Sequence, residues 1–216
     1  MFGIHDLALY LLATVLLAVT PGPDTALVFA QSLRHGARGG IVAALGVATG
    51  CLVHITAASI GLSAVLAASA MAFNVIKWLG AAYLAFIGLR AIITSGSSAP
   101  TAPLADQAAR KSGTKTSSVF WSGFLTNVLN PKVAVFFLAF LPQFVTARSQ
   151  YAPLGFAVLG LILIVIGFSW LAGVALLSAR SLAALGSRHS LRTWLERALG
   201  TAFIALAARL AFAERP

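Results

Sequence analysis

Charged side chains are scarce in this chain of 216 residues, and acidic side chains are the scarcest of all. Charged residues make up 9% of the sequence, whereas an average soluble domain contains about a quarter. Hydrophobic residues make up 59%. This composition excludes a disordered protein and an ordinary cytosolic enzyme. It predicts one compact integral membrane domain over residues 1–216, with the lipid bilayer as its surroundings.

Cysteine is nearly absent, because Cys51 is the single one in the chain. One cysteine excludes a disulfide framework and a cysteine-based metal site. The sequence also lacks a nucleophile–base motif, a phosphate-binding glycine loop and a cluster of His, Cys and carboxylates at metal-ligand spacing. We therefore expect neither an enzyme nor a bound cofactor or metal, and we interpret Cys51 as a small buried residue.

Basic residues outnumber acidic ones, with 15 Lys and Arg against five Asp and Glu, for a formal net charge of +10. On a soluble chain this excess would suggest a nucleic-acid partner. Here 13 of the 15 basic residues lie in or beside the segments between apolar runs. That placement is typical of membrane topology signals, so no nucleic-acid partner is expected.

Long apolar runs are what the sequence does contain. A helix needs about 20 apolar residues to cross the hydrocarbon core, and the alternation of a transmembrane barrel is absent. The predicted transmembrane helices, six in number, are Leu7–Ala30, Gly40–Ser63, Phe73–Ile93, Val119–Leu141, Pro153–Leu177 and Trp194–Phe212. The sixth is the weakest because Glu196, Arg197 and Arg209 lie near its ends. Met1–Asp6 lacks the basic start of a signal peptide, so the first run is interpreted as a span.

The basic residues that flank these spans predict the orientation of the chain. The segments between spans 1 and 2, 3 and 4, and 5 and 6 carry ten Lys and Arg, against three on the other side. The positive-inside rule places those three segments in the cytoplasm and both termini on the outer, periplasmic side.

Residues 95–118, rich in Ser, Thr, Ala and Pro, predict a flexible cytoplasmic linker near the midpoint of the chain. Similar strings recur on either side of it. Pro23–Phe29 resembles Pro131–Phe137, 108 positions later, and Leu79–Ala85 resembles Leu199–Ala205, 120 positions later. The two matches occur in the same order, which indicates a duplication.

The halves that this duplication defines are about 5–94 and 119–213. Each half contains three spans, and an odd number of spans gives the two halves opposite orientations. The sequence therefore predicts an all-α integral membrane protein, with six transmembrane helices in two inverted three-helix repeats. Many secondary transporters use this arrangement.

Two of the predicted spans are interrupted at corresponding places. Span 1 contains Thr20-Pro21-Gly22-Pro23-Asp24, and span 4 contains Asn130-Pro131-Lys132. Proline disfavours a continuous helix, while Asn130 suits an N-cap with Pro131 in the first helical position. A broken helix at membrane depth is tolerated where it faces protein or a wet cavity. Corresponding breaks in two halves indicate a substrate site, and the alternative is a pair of harmless proline kinks.

Asp24 and Lys132 occupy equivalent places in the two breaks. A charge near the bilayer centre costs at least about 2.5–3.5 kcal/mol, so both need partners or water. Three interpretations stay open: a structural ion pair that closes the two half-sites, contacts with the ammonium and carboxylate of a zwitterion, or a shallow position with little role.

Chemistry at the breaks favours an amino acid as the ligand. The helix N-termini after Gly22 and Asn130 offer N–H groups and a positive dipole end, which suit a carboxylate. Asp24 suits an ammonium group. Asp24 is also the one acidic residue well inside a span, which makes it the candidate proton carrier if transport is coupled to protons.

Two further titratable residues lie inside predicted spans. His54 shares a helix face with Gly46, Gly50 and Gly61, and small residues at this spacing let helices approach closely, so His54 points into the bundle. It is interpreted as a packed, hydrogen-bonded histidine, with a proton relay as the alternative. Lys77 shares a face with small residues and either faces protein or snorkels to the outer surface.

These motifs resemble the LysE/RhtB family of amino-acid exporters. The matching features are the Pro21-Gly22-Pro23-Asp24 run, the glycines 36, 39, 46 and 50, Lys77-Trp78-Leu79-Gly80 with Gly88, Asn130-Pro131-Lys132, and Phe140-Leu141-Pro142-Gln143-Phe144. The resemblance covers about residues 5–212. It implies a bacterial inner-membrane protein that exports amino acids by exchange with protons. Substrates in the family include basic amino acids, homoserine, threonine, leucine and cysteine-pathway metabolites.

We expect an exporter of small neutral amino acids or their derivatives, such as homoserine, threonine or leucine, because the few acidic residues near the spans disfavour a basic substrate. Export of basic amino acids or cations is one alternative, and a passive pore for amino acids or ions is another. A non-transporting scaffold would leave the buried charges unexplained. Small-residue faces would allow a homodimer, although packing within the chain uses such faces equally well.

Overall fold

The computed structural model describes residues 3–62, 70–93, 116–146 and 149–180, with short pieces at 197–198, 201, 204–208 and 211. Within these residues the chain is helical, apart from an isolated β-bridge between Ile4 and Val145. The helices are α1 (Leu7–Val19), α2 (Pro23–Ala57), α3 (Ala70–Ile93), α4 (Thr116–Val128), α5 (Pro131–Val135) and α6 (Ala152–Arg180). A π-helical turn follows α2 (Ala58–Leu62), and a π-helical turn (Phe136–Phe140) and a 3-10 turn (Leu141–Phe144) follow α5.

Helix α2 is a helical hairpin that turns at Gly36. This residue has φ 67° and ψ −174°, which lies in the left-handed half of backbone space that glycine tolerates. A Cβ built on Gly40 would overlap the Ser32 hydroxyl, and one built on Gly39 would lie 2.9 Å from the Gln31 carbonyl oxygen. Eight residues of straight helix span about 12 Å, so these contacts require the chain to fold back. Residues 23–35 and 37–57 therefore form two arms.

Two of the described helices, or three if a bent pair counts as one span, are long and apolar enough to cross a membrane, and the six-span topology stays a prediction. By length and composition, α2 with the turn to Gly61 and α6 are long and apolar enough to cross a membrane. A third candidate is the pair formed by α4 and the helical segment to Phe144, bent by 45°. The linker 95–118 lies outside the described residues except for its last three, which begin α4. The predicted span Trp194–Phe212 is described only in short pieces.

Glycines set the close packing of the second α2 arm against α4. A Cβ on Gly46 would overlap the Phe120 carbonyl oxygen, and one on Gly50 would lie 2.6 Å from the Phe124 carbonyl oxygen. A Cβ on Gly123 of α4 would in turn overlap the Ala43 carbonyl oxygen. Contacts advance in the same direction along both helices, so the two run parallel. The predicted small-residue face is confirmed at Gly46 and Gly50, whereas a Cβ on Gly61 would meet no atom of the described residues within 4 Å.

This packing gives a stability prediction. Gly46→Val should lower the thermal unfolding temperature of the detergent-solubilised protein by several degrees, because rigid backbone atoms would have to separate. Overpacking of this kind typically costs about 1–3 kcal/mol. Gly61→Val is the matched control, since a Cβ there meets no described atom within 4 Å, and it should unfold near the wild-type temperature. Equal unfolding temperatures for Gly46→Val and wild type would contradict the packing.

Two buried apolar clusters flank the centre of the structure. The larger contains six aromatic rings, namely Tyr10, Phe136, Phe137, Phe140, Phe144 and Phe156. The Tyr10 hydroxyl donates a 2.6 Å hydrogen bond to the Leu159 carbonyl oxygen, which ties α1 to α6. The smaller cluster consists of Val28, Ala43, Ala44, Val47, Val119, Leu171 and Ala175. Members of both clusters line the cavity described below, so the cavity lies between them.

Candidate functional site

Both predicted helix breaks are present in the structure. Helix α1 ends at Val19, and the chain is extended at Thr20 (ψ 122°) and at Gly22 (φ −159°, ψ −176°) before α2 begins at Pro23. In the second break, Asn130 is extended (φ −76°, ψ 107°) and Pro131 opens α5. Proline at the first helical position loses no hydrogen bond, because the N–H it lacks would have no partner there. These breaks bring polar groups into an otherwise apolar interior.

The Asp24 carboxylate is held by two amides of the other break. Its Oδ2 accepts hydrogen bonds from Asn127 Nδ2 at 2.9 Å and from Asn130 Nδ2 at 3.0 Å. Asn127 and Asn130 are 3% and 1% exposed, so these bonds form away from solvent. The other carboxylate oxygen, Oδ1, is buried and has no hydrogen-bond partner in the described part of the chain. One oxygen of Asp24 is thus anchored, and the second retains its full capacity to accept.

The Lys132 ammonium is held by the C-terminal end of α1. Its Nζ donates hydrogen bonds to the Leu17 carbonyl oxygen at 3.0 Å and to the Thr20 carbonyl oxygen at 2.9 Å. A cation is stabilised at this end of a helix by the dipole and by the unpaired carbonyl groups. An ammonium group has three N–H donors, so one N–H remains after these two bonds. Lys132 therefore joins α5 to α1 and keeps one donor.

Within the described residues, Asp24 and Lys132 do not form a salt bridge with each other. Each charge is instead held by polar groups of the opposite break: Asp24 by two amides, and Lys132 by two carbonyls. This arrangement disagrees with a direct ion pair that closes the two half-sites.

The sequence predicts that the helix N-termini after Gly22 and Asn130 both suit a carboxylate, but the two are capped differently. In α2 the first intrahelical bond runs from Ala26 N to Gly22 O, and no side chain caps the N–H groups before it. In α5 the Asn130 side chain caps its own helix, because Oδ1 accepts from Lys132 N at 3.0 Å. The N-cap residue Gly22 thus supplies no acceptor of its own, whereas the N-terminus after Asn130 already has one.

His54 lies next to this network, as its predicted orientation into the bundle requires. Its Nε2 donates to the Asn127 carbonyl oxygen at 3.1 Å, and its ring stacks on Phe137 with centroids 5.7 Å apart. These contacts agree with the packed, hydrogen-bonded histidine that the sequence predicts, and the proton relay stays the alternative prediction. Lys77 lies in α3, and its side chain falls outside the described part of the structure.

A cavity of about 60 Å³ opens beside the two charges. Its polar lining residues are Thr14, Asp24, Thr25, Asn127 and Lys132. Apolar or small residues of α1, α2, α5 and α6 form the rest, among them Leu17, Val47, Cys51 and Phe168. Asp24 and Lys132 are the charged residues in this lining, so its polar end carries one carboxylate and one ammonium.

The remaining predicted site residues shape the breaks and do not line the cavity. Pro21 and Pro131 are exposed, and Pro23 begins α2. Gly22 leaves room for the lysine, because a Cβ there would lie 3.2 Å from Lys132 Nζ. Asn130 acts from behind Asp24, as a donor to its carboxylate.

Sequence reasoning missed the α6 wall of the cavity, formed by Leu163, Ile164, Gly167, Phe168 and Leu171. An apolar residue in an apolar helix carries no signal that separates the cavity from lipid. Asn127, whose Nδ2 donates directly to the Asp24 carboxylate, is a further residue of the site that sequence reasoning missed. The Thr20 carbonyl, a backbone partner of Lys132, has no sequence signal.

Apolar helices, two broken helices and a cavity with one charge from each break are typical of secondary transporters. The chain belongs to the LysE type translocator family, which matches residues 15–214. This confirms the family resemblance seen in the sequence.

Curated relatives cover nearly the whole chain. A leucine efflux protein of Salmonella typhimurium is 26% identical over 210 residues, which is 97% of this chain and 96% of the relative. A homoserine/homoserine lactone efflux protein of the same species is 31% identical over 206 residues, 95% of each chain. An uncharacterized membrane protein of Bacillus subtilis is 34% identical over 151 residues, 68% of this chain and 70% of the relative. No solved structure matches the chain.

Proposed function

We propose that this protein exports neutral amino acids across the bacterial inner membrane and is not an enzyme. The observation that carries the proposal is the cavity between the two breaks, which joins one carboxylate and one ammonium to an apolar remainder. The relatives named leucine efflux protein and homoserine/homoserine lactone efflux protein agree with such a substrate.

The charged end of the cavity matches the backbone of an amino acid. The substrate ammonium would bind Asp24 at Oδ1, the oxygen without a protein partner in the described residues. The substrate carboxylate would accept a hydrogen bond from the remaining N–H of Lys132. It would also face the N-terminus of α2, where the N-cap residue Gly22 supplies no side-chain cap. Charge-assisted bonds of this kind are roughly twice as strong as bonds between neutral groups.

The rest of the cavity favours a side chain without charge. Beyond Asp24 and Lys132, its lining residues are apolar or neutral. A lysine or arginine side chain would place a second cation where the lining offers no second carboxylate, and an unpaired buried charge is strongly unfavourable. Leucine, homoserine, threonine and alanine avoid this penalty, so they rank above basic amino acids and cations.

The wider architecture is part of the same proposal. Six spans in two inverted repeats, with both termini outside, would place the two breaks at corresponding depths. Hydrogen bonds between the two breaks support this arrangement. Asp24 of the first break accepts from Asn127 and Asn130, and Lys132 of the second break donates to the Thr20 carbonyl at the end of α1. Proton exchange would use Asp24, whose carboxylate is the acid in the cavity lining. A homodimer stays a prediction of the sequence.

Uptake into inside-out vesicles tests the function. Vesicles that contain the protein should accumulate labelled leucine, alanine, threonine or homoserine above the external concentration when the vesicle interior is made more acidic than the medium. Vesicles without the protein should not. Equilibration without accumulation would indicate a passive pore. Transport of lysine or arginine in place of the neutral amino acids would overturn the proposed substrate class. Failure of every amino acid would overturn the function.

A further inference from the structure

One face of α6 forms a wall of the cavity. The lining residues Leu163, Ile164, Gly167, Phe168 and Leu171 recur at intervals of one, three, one and three, which is the spacing of a single helix face. None of these residues carries a charge or a hydrogen-bonding side chain. Since both charges of the cavity come from the two breaks, this wall is apolar surface with no polar function of its own.

Gly167 lies in this wall, and close packing does not account for a glycine at this position. A Cβ built on it would meet no atom within 4 Å in the described structure. Gly160, two turns earlier in α6, shows the contrast, because a Cβ there would lie 2.5 Å from Cγ1 of Ile55. Glycine inside a helix is destabilising relative to alanine. At Gly160 close helix contact explains the glycine, whereas at Gly167 the missing side chain leaves space in the cavity.

We propose that Gly167 determines the size of substrate side chain that the protein carries, and that the α6 face around it is the subsite for an aliphatic side chain. The inference rests on the proposed function, since it assumes an amino acid whose charged groups contact Asp24 and Lys132. The substrate side chain would then lie against Leu163, Gly167 and Leu171. Because position 167 has no Cβ, a branched side chain such as that of leucine would use the space there, and an alanine side chain would need less of it.

Gly167→Val tests this subsite. The purified variant and wild type are reconstituted in proteoliposomes, and initial uptake of labelled leucine and labelled alanine is measured below saturation. The leucine-to-alanine rate ratio should fall at least about tenfold, because a pocket contact of methylene size is worth about 10–200-fold in discrimination. Alanine uptake should persist, since a small side chain does not reach the added methyl groups.

Gly173→Val is the matched control. Gly173 lies in the same helix, and in the described part of the chain a Cβ there also meets nothing within 4 Å and the residue does not line the cavity. Its leucine-to-alanine ratio should equal that of wild type. If Gly167→Val does not accumulate in the membrane, Gly167→Ala should shift the ratio in the same direction by about threefold, as expected for a smaller added group.

An unchanged ratio in the Gly167 variants would overturn the inference. A parallel loss of leucine and alanine transport would do the same, because it would assign Gly167 to helix bending. A ratio that falls equally in Gly173→Val would also contradict it. Failure of the proposed function would appear as a different result, namely that the wild-type protein transports neither leucine nor alanine.

Discussion

Asp24→Asn should reduce leucine or homoserine uptake into vesicles at least about thirtyfold, because truncating one partner of a buried charge pair typically costs 2–5 kcal/mol or more. The substitution preserves shape and leaves an oxygen that accepts from Asn127 and Asn130. It removes the negative charge that would bind the substrate ammonium. The loss should therefore appear in transport while the variant still accumulates in the membrane.

The control for Asp24→Asn is Asp6→Asn. Asp6 precedes α1, and its side chain is 58% exposed, so the same chemical change there should leave uptake near the wild-type rate. Wild-type uptake by Asp24→Asn would remove Asp24 from the substrate site and from proton coupling together. Accumulation that is lost while passive exchange of leucine survives would assign Asp24 to coupling alone.

Lys132→Met should impair both folding and transport. Methionine matches the length of the lysine stem but donates no hydrogen bond, so the carbonyls of Leu17 and Thr20 lose the bonds that join α5 to α1. A buried acceptor without a partner costs about 1–3 kcal/mol, and two are affected. The thermal unfolding temperature of the purified variant should fall, and leucine uptake per folded molecule should fall at least about tenfold.

Lys132→Arg and Arg38→Met separate these two effects. Lys132→Arg keeps a cation with several donors at the end of α1, so it should regain part of the stability lost in Lys132→Met. Arg38 is an exposed basic residue beside the Gly36 turn, and Arg38→Met should change neither unfolding nor uptake. Wild-type stability of Lys132→Met would contradict the contacts with α1, and wild-type uptake would contradict a role in binding.

The helix breaks were predictable because prolines and charges are rare in this chain and occur together. Pro21, Pro23 and Pro131 disfavour a continuous helix, and Asp24 and Lys132 are too costly in an apolar interior to lack partners or water. These arguments need no knowledge of the tertiary structure. The positions of both breaks and both charges followed from them.

The partners of the charges were not predictable from the sequence. Asp24 meets Asn127 and Asn130, which are 103 and 106 positions away, and only the packing of α2 on α4 sets those distances. An ion pair with Lys132 was an equally good hypothesis, because opposite charges in a low-dielectric interior attract. The amides and carbonyls of the opposite break satisfy each charge instead.

Helix α6 was predicted as a span, yet its role in the cavity was hidden. Its residues are apolar on every side, so no periodicity distinguishes the cavity face at Leu163 and Leu171 from the lipid face. Gly160 and Gly167 are identical letters in the same helix, and only the atoms around each reveal that one is packed and the other is open. Size selection by the cavity is therefore a property of the tertiary structure.

Equilibrium binding of labelled leucine to the purified protein tests the central claim most directly, namely that the cavity binds an amino acid through Asp24 and Lys132. Unlabelled leucine should compete. N-acetyl-leucine, which lacks the ammonium, and leucine amide, which lacks the carboxylate, should both fail to compete. Asp24→Asn should lose binding. Wild-type affinity for leucine in both Asp24→Asn and Lys132→Met would contradict the account. So would competition by N-acetyl-leucine and leucine amide that is as strong as competition by leucine.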